Sequence, residues 1–333
     1  MAYTEIDNPE LYFQVKAYTG DGQASHAITL DGDEDMQPDL VWIKPRDETY
    51  NHRIFDAVRG ATEVIYSNLT NGEGTSTGSL SAFGTDGFTL GDEPWENEDG
   101  GNFVAWCWKE SATAGFDIVS WSGTGSAKTE SHSLSAVPHF MFSKNRADST
   151  NWAVYHHKNT AAPETEIMYL NLNSATADDN AFWNDTAPTS SVFSVGTDNG
   201  ANGSSDAMIT YLWSEKQGYS KFSSFVGNGN ADGTFVYTGF KPAFVLVKVT
   251  DDNDNWHIID DKRNPYNPMD GHLFPNDTWA DTTHSSYVFD MLSNGFKPRS
   301  DNNAFNASGK SYIYMAFAEA PFVNSNGVPC NAR

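Results

Sequence analysis

Long apolar runs are missing from this sequence. No window approaches the roughly 18 continuous apolar residues of a membrane-spanning helix, so insertion into a bilayer is not expected. Positive charge is scarce as well: 20 Lys and Arg stand against 44 Asp and Glu, a formal net charge of -24. Phosphate contacts need clustered Lys and Arg, and none cluster here, which argues against nucleic acid and against anionic membrane surfaces. Cysteine is nearly absent. Cys107 sits in an apolar run and Cys330 lies close to the C-terminal end, so a disulfide scaffold is excluded for a chain of 333 residues. The opening "MAYTEIDNPE" has neither a basic stretch nor an apolar one, and no secretory leader is expected in it. Stretches with a helical 3.6-residue period are almost lacking too.

Gly (27), aromatics (14%) and many Ser, Thr, Asn and Asp remain, the mix of short strands joined by turns. The composition is all-β. Three apolar runs, "FVAWCWKE", "MITYLWSE" and "YIYMAFAE", each end on an acid, at Glu110, Glu215 and Glu319. An aromatic, Trp108, Trp213 or Phe317, stands two residues before each acid. Other landmarks keep the same order. "YTGDG", "WSGTG" and "FVGNG" begin at Tyr18, Trp121 and Phe225; "PDLVWIK", "PHFMFSK" and "PAFVLVK" begin at Pro38, Pro138 and Pro242. "HRIFD", "WAVYH" and "WHIID" follow the lysines, and "DGFTLG", "SVFSVG" and "NGFKPR" come later. A series repeated three times at about 100 residues implies three divergent copies of one unit.

The expected fold is therefore all-β: three tandem antiparallel β-sandwich repeats, jelly-roll or lectin-like, each of about 100 residues. The boundaries are 13–112, 113–219 and 220–322, with an N-terminal docking segment 1–12 and a C-terminal tail 323–333. Each proline is expected at the first residue of a strand, where its missing N–H does no harm. The runs "LVWI", "FMFS" and "FVLV" read as central strands covered on both faces. Connections of a few residues should hold the units in a stiff rod or a compact cluster. The Gly-x-Gly pairs precede another strand and not a helix, so they are turns and not phosphate cradles.

No catalytic constellation emerges. The three acids recur in register, as strand-end residues serving the fold would, bonded to backbone or to a basic side chain. Cys107 has no neighbouring base in sequence, and no Gly-x-Ser-x-Gly elbow occurs. His156 and His157 are adjacent and point to opposite faces of a strand, so they cannot share a metal. The acidic stretches from Asp31 and Asp251 resemble fragments of calcium loops without the full ligand pattern; hairpin tips explain them, with calcium as the alternative. No metal site and no cofactor is predicted. Loops particular to one copy join a Trp to Asn and Asp, a mix suited to stacking on sugar faces and bonding their hydroxyls. The candidate ligand contacts are Trp95, Trp183, Trp279, Asn97, Asn184 and Asn276.

The run "PDLVWIK", the strands "TYLWSE" and "YIYMAFAEAPF", and the joint "GYSKFSSFVGNGNADGTFVYTGFKP" resemble a family of repeat-containing structural proteins from tailed bacteriophages, especially phages of aquatic bacteria. The resemblance spans residues 13–333. Its most specific parts are the joint and the C-terminal strand with its "NAR" end. The first unit departs most, through "DGDEDMQ" and "DEPWENEDGG". The resemblance implies a non-enzymatic virion protein, tail-fibre-like or receptor-contacting, assembled in the host cytoplasm. A capsid decoration or head-fibre protein is the alternative, and a glycan-active enzyme a third class. Without a shaft of its own the chain would dock on other virion proteins through its termini, form a homotrimer, and contact a host-surface glycan.

Overall fold

The structure is a computed structural model and describes residues 2–330. Three large antiparallel sheets share one strand order. In the first, Phe13–Thr19 pairs with Asn102–Trp108, which pairs with Leu40–Pro45, followed by Arg53–Asp56 and Gly60–Ile65. In the second, Phe116–Ser122, Ala207–Trp213, Phe140–Asn145, Ala153–His156 and Glu166–Tyr169 take those places. In the third, Ser220–Val226, Ser311–Pro321, Phe240–Val249 and His257–Asp260 do so. Registers agree as well. Trp108 lies opposite Phe13 and Leu40, Trp213 opposite Phe116 and Phe140, and Phe317 opposite Ser220 and Phe244.

A smaller antiparallel sheet completes each sandwich. His26–Thr29, Gly87–Leu90 and Leu80–Gly84 do this in the first unit, Lys128–Ser131 with Val192–Val195 in the second, and Val236–Tyr237, Gly295–Pro298 and Phe289–Leu292 in the third. Between the layers lie three local cores.

The other face of every large sheet turns toward the other two units. Along Leu40–Pro45, Val41 and Ile43 enter the local core while Leu40 and Trp42 enter a core common to all three units. Met141 separates from Phe140 and Phe142 in the same way, and Val245 and Val247 from Phe244 and Leu246. Burial on both faces explains why these runs lack alternation. Trp108 touches every unit: its ring centroid is 4.9 Å from Phe13, 6.2 Å from Trp213, and 5.7 Å from both Phe244 and Phe317. A void of about 10 Å³ beside Trp108, Trp213 and Phe244 leaves hardly room for one water. The units form a closed cluster and not a rod.

Polar contacts close the ring in rotation. Backbone bonds run from Glu73 N to Arg146 O at 2.7 Å, from Thr176 N to Thr250 O at 2.8 Å, and from Asp281 N to Arg46 O at 2.7 Å. The second unit's Trp152 Nε1 donates to Tyr66 O of the first at 2.8 Å, and the third unit's Trp256 Nε1 donates to Tyr169 O of the second at 2.9 Å. His52 holds the matching place in the first unit, and its ring faces the Phe274 backbone of the third. The ends of the next strands interlock likewise. Tyr211 OH donates to Asp56 Oδ2 (2.5 Å), the His156 Nε2 bonds Tyr314 O (3.2 Å), and Trp106 Nε1 donates to Asp260 Oδ2 (3.1 Å).

One expectation needs correction. Pro38 and Pro138 precede their strands by two residues, whereas Pro242 lies inside Phe240–Val249, where register shifts on either side of it accommodate the missing donor. The N-terminal segment is docked on its own chain: Thr4 and Ile6 are buried, Tyr3 OH donates to Gly239 O at 2.7 Å, and Ser325 N donates to Asp7 Oδ1 at 2.7 Å. The "NAR" end, 331–333, lies outside the described residues.

One shared core should unfold as one cooperative unit. A single calorimetric transition is expected, and Trp108→Ala should remove about 3–5 kcal/mol by chemical denaturation while keeping that transition single. Three resolved transitions would contradict the shared core.

Candidate functional site

The repeated polar landmarks turn out to be buried. Lys44, Lys144 and Lys248 are fully covered, and each Nζ donates to the carbonyls one and four residues ahead. These acceptors are Pro45 and Glu48, Asn145 and Asp148, and Val249 and Asp252. Burial pulls all three ammonium groups down to about 8. The lysines pin the loops that follow the central strands.

Asn97, Asn202 and Asn306 form a second trio. Their side-chain oxygens accept from the amides of Asp21, Thr124 and Asn228 at 2.8–3.0 Å, inside the Gly-x-Gly turns. Their amides donate to Gly91, Gly196 and Ser300 carbonyls, closing a second loop. The turns need their glycines: a Cβ on Gly123 would stand 1.9 Å from Gly203 O, and Gly125 has φ +68°. Asn97 is therefore a turn clamp and not a ligand contact. Asn276 is likewise engaged, accepting from Trp256 N at 2.9 Å and donating to Asn255 Oδ1 at 2.7 Å. Asn68 and Asn171 do the same in the other units. Trp183 is 1% exposed beside Tyr155 and cannot stack on a ligand. Trp95 and Trp279 are exposed at 37% and 52%, and Asn184 is an exposed left-handed helix cap. The structure does not gather them: Trp95 packs on Tyr50, Trp279 on Phe274, in different units.

The recurrent acids diverge in their partners. Glu215 bonds Lys221 at 2.6 Å and Glu319 pairs with Lys241. Glu110 faces Asp117 where the others meet a lysine; burial first, then Asp117 and Asp39, raises it to about 7. Neither acid lines the cavities described below. His156 and His157 both bond carbonyls, of Tyr314 and Phe222. Among the described residues no group of three or more His, Cys, Asp or Glu could hold a metal ion. The acids at the Asp251 tip have protein partners, Asp252 with Lys310 and Asp254 with Asn255.

One position pair differs in each copy as a set. Arg53 meets Glu96 at 2.7 Å in the first unit, buried together, with burial raising the Glu96 carboxyl to about 7. Ala153 and Ala201 stand there in the second, within its local core. His257 and Phe305 stand there in the third, ring centroids 4.4 Å apart.

Two cavities stand out by volume. One, of about 590 Å³, lies between Lys241, Met291, Leu292, Asn294, Glu319 and Cys330 beside the C-terminal segment. The other, of about 270 Å³, is lined by Thr70 of the first unit and by Ser149, Thr150, Asn151, Tyr169, Phe182, Asp198, Asn199 and Gly200 of the second. None of the second cavity's residues stands out in the sequence. The signal available was Gly200 standing where the first unit has Trp95, two residues before the clamp Asn in each copy.

These features define a closed, three-lobed all-β protein whose perturbed groups recur at the joins and turns. Residues 8–321 match the family described as Domain of unknown function (DUF7483), and the chain belongs to that family. No curated protein matches it.

Two outcomes follow from the buried groups. Arg53→Ala strands Glu96 and should cost about 3–5 kcal/mol, whereas Arg53→Ala with Glu96→Ala, the second unit's own pair, should recover most of the loss in denaturant titration. Six histidines (52, 139, 156, 157, 257 and 272) are held below their ordinary value, chiefly by burial. The unfolded chain therefore takes up their protons as pH falls through about 6.5, and the folded chain does not. Asp39, Glu96, Glu110 and Asp261 are raised by burial and oppose this, since they bind protons earlier when folded. With six groups against four, the melting temperature should fall from pH 7 to pH 5; a rise would refute that balance.

Proposed function

We propose that the chain is a non-enzymatic structural protein of a tailed-phage virion, displayed on the particle surface. The observation that carries this reading is the closure of three sandwiches on one aromatic core. Its buried lysines and asparagines recur in triplicate as fasteners, as expected of a body built for rigidity. The resemblance of the joint and closing strand to phage structural proteins supports the particle. Trp95 and Trp279 are exposed aromatics of a kind suited to host-glycan contact.

A capsid-decoration role gains from one further observation. The body is compact, and its N- and C-terminal segments are joined through Asp7 and Ser325, so both would meet a partner on one side. The homotrimer is an expectation for the assembled particle. Because one chain covers the apolar faces of its own three large sheets, we propose a monomer in solution.

Image reconstruction of the purified particle should show a three-lobed density of this chain outside the capsid or tail, and absence of the chain from purified particles would sink the reading. Light scattering should give a mass near 36.6 kDa; a mass three times larger would restore the trimer.

A further inference from the structure

The cavity of about 270 Å³ between the first and second units has counterparts that are filled elsewhere. In the first unit Trp95 and Tyr50 pack edge to face at 4.6 Å, with Arg53 under the indole at 5.6 Å and under Tyr66 at 5.4 Å. In the third, Trp279 covers Phe274 at 5.6 Å, and Tyr287 lies 6.2 Å from that ring. Tyr66, Tyr169 and Phe274 occupy one position, since each is the carbonyl or backbone met by the neighbouring unit's Trp152, Trp256 or His52. In the second unit Gly200 and Thr150 replace the large side chains, and Tyr169 with Phe182 is left as an open aromatic wall.

Hydroxyls and amides line the rest: Thr70, Ser149, Thr150, Asn151 and Asn199, with the Asp198 carboxylate. No Lys, Arg or His lines it, which disfavours phosphate or carboxylate ligands. A single carboxylate is too few for a hard cation. An aromatic wall facing several neutral donors and acceptors suits a ring with an apolar face and a rim of hydroxyls. The volume sits just under the range of about 300–1,000 Å³ for small-molecule clefts, enough for one ring and not a chain of them.

We propose that this cavity binds one neutral sugar ring. It is a site of the closed ring, because Thr70 comes from the first unit and the other walls from the second. It lies apart from Trp95 and Trp279, and the sugar it takes does not depend on which particle carries the protein.

Saturation-transfer NMR on the full chain with glucose, galactose, mannose and N-acetylglucosamine provides the test. At least one should bind saturably, and Gly200→Trp, which copies the first unit's plug, should weaken that binding by about tenfold or more. The Gly200 Cβ would lie 3.0 Å from Asp198 Oδ1 and 3.4 Å from Thr150 Cβ, at the cavity wall. Thr70→Trp closes the cavity from the exposed loop of the other unit without touching the second unit's fold, and should have the same effect. No saturable binding of any of the four sugars overturns the proposal. So does binding that survives in both folded variants, or in Thr70→Trp if Gly200→Trp does not fold.

Discussion

Everything in this molecule depends on covering the second apolar face of three large sheets. A sheet with one face on a local core can leave the other in water only if that face is polar. Here Trp42, Trp106, Trp108, Phe140, Phe142, Trp213, Phe244 and Phe317 occupy it. Burying each such ring contributes on the order of 1.5–3 kcal/mol, so no unit is complete alone. Closure of the first unit onto the third, the pair most distant in sequence, lets all three faces cover one another.

The joins around that core show how one polar scheme tolerates different chemistry. Arg59, Glu73 and Arg146 form one join, with Glu73 bonded to both guanidinium groups. Arg263, Asp281 and Arg46 repeat it between the third and first units. The remaining join is neutral: Thr176 Oγ1 donates to Asn159 Oδ1 at 2.7 Å, and Thr250 supplies the backbone acceptor. Arginine, acid and arginine are thus exchanged for three neutral groups together. The Arg53–Glu96, Ala153–Ala201 and His257–Phe305 positions change as sets for the same reason, because an unpaired buried charge costs several kcal/mol.

The same logic separates scaffold from surface. Asn is the residue of polar loops and also a compact donor–acceptor that can bridge two turns from inside. Asn97 and Asn276 looked like the first and are the second. Their backbone partners come from Asp21 and Gly91, and from Trp256, none of which adjacency in sequence reveals. Trp183 stands among polar neighbours, yet a short helix turns it inward against Tyr155.

The sequence by itself determined the all-β class, the order of the landmarks and the two-faced burial of the central strands. Those properties are local: strand periodicity, turn residues and apolar continuity are written within a few residues. It also showed that the lysines and acids recur, though not that the lysines are buried fasteners. Tertiary structure alone decided that the units form a ring and which asparagines clamp turns. It also left Glu110 opposite Asp117 where its counterparts meet lysines, and opened a cavity at Gly200 where Trp95 fills the equivalent space. Each of these outcomes depends on side chains brought together from different units, and distance along the chain carries no record of that meeting.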